Sequence, residues 1–168
     1  MSAIIEVGLG AMFKLPKKME KGENFLNNPL FWANATPFDK AEETYQHLLE
    51  IGYPLLFHIY AENQQTANAQ AIAIKHILGE QAEKARFEGG VGTIKKPFQS
   101  LCCVDDNVSY LVNTPAEMKA IVDRPYNEEM ACLEYRNVIR QMYRLKEPTQ
   151  MIQLAMFMRN RRELFVKK

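Results

Sequence analysis

No apolar run in the 168-residue sequence approaches the roughly 20 residues needed to cross a bilayer, so a membrane-spanning protein is not expected. Met1 to Gly10 carries no basic residue ahead of its apolar stretch and lacks a signal-peptidase pattern, which makes a cytoplasmic setting the expectation. Cysteine is sparse and odd in number. Cys102 and Cys103 are adjacent inside an apolar run and Cys132 stands apart, so reduced, buried thiols are expected rather than a disulfide framework. His47, His58 and His76 are too scattered to complete a metal site with those thiols, and no cofactor is expected. No Ser, Cys or Lys nucleophile lies in an activating context, which argues against covalent catalysis. Repeats, low-complexity tracts and splitting linkers are absent as well, so residues 1–168 read as one domain.

What is present is an ordinary globular composition, 47% hydrophobic and 24% charged. Ala3 to Leu9 and Ala11 to Leu15 read as a strand pair or one bent strand, with Gly8 and Gly10 allowing the bend. Thr36, Pro37 and Asp39 form a helix-start box, and Gly52 ends the helix that follows. Pro54 to Ala61 is a compact apolar run and predicts a buried strand, feeding a long helix from Gln64 to Phe87. Gln99 to Val104 predicts a further strand, with Val108 to Val112 pairing back as a hairpin. Thr114-Pro115-x-Glu117 predicts a short helix to Asp123. Asn127 caps a helix to Leu145, and Pro148 opens a last helix toward Leu164. The fold class read from this order is α+β: a small mixed sheet of four to five strands, four to five helices and a C-terminal helical hairpin.

Charge is uneven although the net formal charge is only +1. From Arg136 onward, Arg136, Arg140, Arg144, Lys146, Arg159, Arg161, Arg162, Lys167 and Lys168 face only Glu147 and Glu163. Arg136, Arg140 and Arg144 recur every four residues, one stripe down a helix, and guanidinium forks at that spacing suit phosphate oxygens. The same stripe is equally a solvated or ion-paired face. The functional expectation is a non-enzymatic nucleic-acid- or nucleotide-binding protein using Arg136, Arg140, Arg144, Lys146, Arg159, Arg161 and Arg162, with Lys95 and Lys96 as further phosphate contacts. The last helix, Met151 to Met158, is apolar nearly all round, which suggests a homodimer seam or a core helix. An inhibitor or adaptor binding a protein through that helix is the alternative.

Three other features carry weaker chemistry. The run Glu88-Gly89-Gly90-Val91-Gly92 leading to Lys95 and Lys96 has glycines but fails the spacing of a phosphate loop. Glu62 after one strand and Asp105-Asp106 after the next would share a carboxyl edge and could hold Mg²⁺ in a metal-dependent enzyme, a third alternative. His58, alone in an apolar strand, reads as donating to a neighbour. Aromatics from Phe25 to Tyr60 are dense enough for base stacking but read mostly as core.

The run Gly22-Glu23-Asn24-Phe25-Leu26-Asn27-Asn28-Pro29-Leu30-Phe31-Trp32, together with the overall style of the chain, resembles small proteins carried by Mu-like prophages. The resemblance implies a cytoplasmic, dimeric protein that binds nucleotides or nucleic acid, and it assigns a role to no particular residue.

Overall fold

The unbroken apolar run after Pro54 becomes strand β2 (Leu55–Ala61), buried on both faces, as a strand inside a parallel sheet must be. It belongs to a computed structural model that describes residues 5–14, 25–92, 100–122, 142–147 and 149–156. Around β2 the chain forms β1 (Ile5–Val7), α1 (Pro29–Ala33), α2 (Ala41–Glu50), α3 (Gln64–Leu78), β3 (Arg86–Val91), β4 (Cys102–Asp105), α4 (Val108–Asn113), β5 (Met118–Val122) and β6 (Tyr143–Leu145). Residues 150–156 form further helix. The six strands make one sheet in the order β3-β2-β1-β4-β5-β6, and every pairing is parallel.

Helices and strands are mixed, as expected, but the sheet is a six-stranded parallel one rather than a mixed sheet of four to five strands. Several assignments change with it. Val108 to Val112 is helix, not a hairpin strand, because Asn107 accepts the Tyr110 amide and caps α4. Met118–Val122 is a strand where the Thr-x-x-Glu spacing predicts a helix, since Met118, Ala120 and Val122 pack into the main core. The helix expected to Phe87 stops at Leu78. Gly79 turns the chain at φ 55°, a short 3-10 segment follows, and Arg86 to Val91 runs as the edge strand β3. Ala11 to Lys14 is not a strand beyond one bridge between Phe13 and Pro37, and Leu15, the end of the expected strand, lies outside the described residues. The expected Thr36 cap moves as well: α2 begins after Lys40, which takes φ 63°.

The main core lies where Ile5, Val7, Phe57 and Val104 meet α2 and α3, with Trp32, Phe13 and Tyr45 fully enclosed. Tyr45 ties its hydroxyl to the Ala11 carbonyl at 2.8 Å. Met151, Leu154 and Ala155 join this core, so the described turns of the last helix are packed on the chain's own sheet. A smaller cluster, including Cys103, Val108, Leu111 and Ile121, fills the opposite face under α4.

Candidate active site

From β1 the chain steps outward to β2 and β3, and from β4 it steps outward the other way to β5 and β6. The direction therefore reverses between β1 and β4, and parallel sheets bind ligands in the crevice at the carboxyl ends of such a pair. At that edge β1 runs into Gly8-Leu9-Gly10 and β4 ends in Asp105-Asp106. Both aspartates are buried, at 2% and 9% exposure.

The two glycines and the two acids are fitted to each other. A Cβ placed on Gly8 would fall inside 3.0 Å of all three terminal atoms of the Asp105 side chain, and one on Gly10 would do the same to Asp106. Only hydrogen fits at either position, so the space that side chains of β1 would fill is taken by carboxylates from β4. Asp105 is further fixed by its own turn. Its Oδ1 accepts the amides of Asp106 at 2.8 Å and Asn107 at 3.1 Å. Gly8 donates its amide to the Val104 carbonyl at 2.8 Å, locking the glycine turn to β4.

Two adjacent carboxylates at a cradle of this kind match the hard oxygen ligands, usually one or two carboxylates completed by water and substrate phosphate, with which Mg²⁺ is held. Glu62 does not join them. It is exposed at the end of β2, where its amide bonds Asn27 Oδ1 at 2.8 Å. Among the described residues no group of three or more His, Cys, Asp and Glu side chains could hold a metal ion.

Beneath the edge, on the α4 face, lies a buried polar network. Glu6 of β1 is 0% exposed, and its Oε1 lies 2.7 Å from His58 Nδ1 of β2. The same oxygen accepts the Tyr110 hydroxyl from α4. That hydroxyl is 3.2 Å from His58 Nδ1, and the two rings meet edge to face. Glu6 Oε2 is buried without a hydrogen-bond partner. The neighbour expected for His58 is thus Glu6, whose Oε1 shares a hydrogen bond with Nδ1. Glu6 is not among the residues the sequence singles out. A lone acid inside the apolar run Ile4-Ile5-Glu6-Val7 was the available signal.

A separate cleft of about 610 Å³ opens between α1 and α3, walled by Phe13, Trp32, Pro37, Ile72, Glu42 and His76. Glu42 is the one acid in its lining, so it brings no pair of acids together.

Among the basic residues of the expected surface, one is described in a different element from the one expected. Arg144 lies on strand β6 with an exposed side chain, so it cannot continue a helical stripe with Arg136 and Arg140. Lys146 is exposed just after β6. Arg136, Arg140, Arg159, Arg161, Arg162, Lys95 and Lys96 lie outside the described residues, as does Cys132. Cys102 and Cys103 are both buried. Among the described residues no helix is long and apolar enough to cross a membrane.

No family model matches the sequence, and no curated protein does. Solved structures do. The chain is similar to the crystal structure of D,D-heptose 1,7-bisphosphate phosphatase from Burkholderia thailandensis, with a TM-score of 0.55 at 9% identity, over 92% of this chain and 97% of that one. At that identity the likeness is one of fold. It corrects the expectation of a non-enzymatic nucleic-acid or nucleotide binder acting through basic C-terminal helices, and with it the adaptor alternative: the fold is shared with a phosphatase, and this chain buries Asp105 and Asp106 at the carboxyl edge of its sheet.

Proposed function

We propose that the protein is a metal-assisted phosphoester hydrolase whose site is the crevice between the carboxyl ends of β1 and β4. The observation that carries this reading is the seating of Asp105 and Asp106 against Gly8 and Gly10 at the point where the strand order reverses. The fold shared with a sugar bisphosphate phosphatase supports it.

Asp105 and Asp106 would hold a divalent cation, which neutralises charge on a phosphoryl group and polarises it. The turn around Asp105 Oδ1 keeps that carboxylate from rotating when a cation arrives. Residues 8 and 10 present no side chain, so β1 offers no nucleophile there. Attack on phosphorus accordingly falls to water, without a phosphorylated residue on β1.

The test is release of inorganic phosphate from p-nitrophenyl phosphate and a panel of sugar phosphates, with Mg²⁺ and with EDTA. Turnover is expected with Mg²⁺ only, and Asp106→Asn should reduce it by about a hundredfold or more. Absence of turnover on every substrate, together with no Mg²⁺ or Mn²⁺ binding by the folded protein, would sink the proposal.

A further inference from the structure

The Glu6–His58–Tyr110 network is awkward as a stabilising feature. It places a carboxylate at 0% exposure in the middle of the sheet, between apolar strands, and leaves one of its oxygens without a partner. Buried ionic groups of that kind are seldom better for stability than apolar side chains of the same size. An unsatisfied buried oxygen asks for another explanation.

Connectivity supplies one. Tyr110 donates its hydroxyl to Glu6 Oε1, and its backbone amide donates to Asn107 Oδ1 at 3.1 Å. Asn107 in turn donates its amide to Asp105 Oδ1, which also takes the Asp106 amide. Hydrogen bonds joined through the covalent frames of Tyr110 and Asn107 therefore link His58 and Glu6, in the interior, to the Asp105 carboxylate at the edge. Glu6 precedes Gly8 by two residues on β1, and Cys103, its register partner on β4, precedes Asp105 by two. The network thus lies about 7 Å below the acids, along the strands. Gly89 leaves no room for a side chain beside the His58 ring, since a Cβ there would meet its Cδ2 at 2.8 Å. The imidazole is held from the β3 side as well.

We infer that Glu6, His58 and Tyr110 are positioning residues for the cation site: they anchor the first turn of α4 to β1 and β2, and through Asn107 they set the orientation of the Asp105 carboxylate. This rests on the reading of Asp105 and Asp106 as cation ligands. Partners one step behind a ligand act by orienting it, and their loss typically weakens metal affinity by about 10–100-fold.

The experiment is Mn²⁺ binding, read by the loss of the free-ion electron-paramagnetic-resonance signal, on the parent chain, Tyr110→Phe, Glu6→Gln and the control Leu111→Ala. Leu111 is on the same helix and fully buried, and its apolar side chain, the part the substitution removes, makes none of these hydrogen bonds. Tyr110→Phe, which removes one hydroxyl and keeps the ring, should weaken Mn²⁺ binding by about tenfold with the protein still folded. Glu6→Gln should do at least as much. Leu111→Ala should lower the melting temperature yet leave affinity within about twofold, scatter that converts to a few tenths of a kcal/mol. Parent-like affinity in Tyr110→Phe overturns the inference while leaving the site intact. An equal loss in Leu111→Ala overturns it too, by showing that general loosening suffices. Absence of Mn²⁺ binding in the parent itself overturns both the site and its positioning network.

Discussion

At Gly8 the backbone has φ −78° and ψ 161°, angles open to any residue, so alanine there meets no torsional penalty. What it meets is the Asp105 carboxylate. Gly8→Ala should therefore destabilise the protein by about 1–3 kcal/mol, the range for overpacking, and most of that loss should vanish in an Asp105→Ala background. Urea unfolding followed by the fluorescence of Trp32, which is enclosed in the core, measures all four corners of the cycle. Strict additivity would show that the glycine and the acid are not competing for one volume. The sequence shows Gly8 and Gly10 only as permission for a bend, because the reason for them lies on β4, nearly a hundred residues on. Asp105 and Asp106 were visible as acids at a carboxyl edge. Glu62 was grouped with them on the same ground, and it fails because its strand, β2, is separated from β4 by β1.

Elements were legible where a local cause sufficed. β2 reads correctly from its apolar run, and α3 starts where expected because Asn63 accepts the Thr66 amide at 2.8 Å. Elsewhere two signals competed. Val108 to Val112 is rich in the branched residues that favour strands, yet the cap at Asn107 and the turn at Asp105 bend the chain into α4. The cap is worth measuring: Asn107→Ala should cost about 1 kcal/mol, and Asn107→Ser should recover most of it. A neutral Asn107→Ala in chemical denaturation would remove the cap as the reason α4 is helical. β3 was hidden by helical periodicity running past Leu78, and its glycines resembled a loop because no Cβ marked the alternation of a strand.

Across the whole molecule the parallel sheet encloses polar chemistry that an open sheet would leave in water. Cys102 shows the effect. Burial, and secondarily the Glu6 carboxylate, push its thiol from an ordinary 9.0 up to about 12. The folded chain therefore keeps this proton at pH values where the unfolded chain has released it. The resulting stabilisation is complete below pH 9 and is lost as pH rises toward 12. Urea midpoints should fall across the alkaline range, with a contribution from this one thiol of at most about 1.4 kcal/mol per pH unit. Cys102→Ala should flatten that slope even if it lowers stability at pH 7. An unchanged slope would mean the thiol ionises in the folded state.

The position of β1 has a consequence for how the protein is made. Its three residues pair with β2 on one side and β4 on the other, Ile5 facing both Leu55 and Cys102. On a ribosome this strand emerges with both edges bare. It gains one neighbour after roughly fifty residues and the second only after roughly a hundred, since parallel strands need long crossovers. Until then the nascent chain carries half a sheet with an open edge, the kind of surface that chaperones cover and aggregation exploits. Of the two seams of β1, the one with β4 closes last, so Gly8 and Asp105 meet only when the exposure of β1 ends.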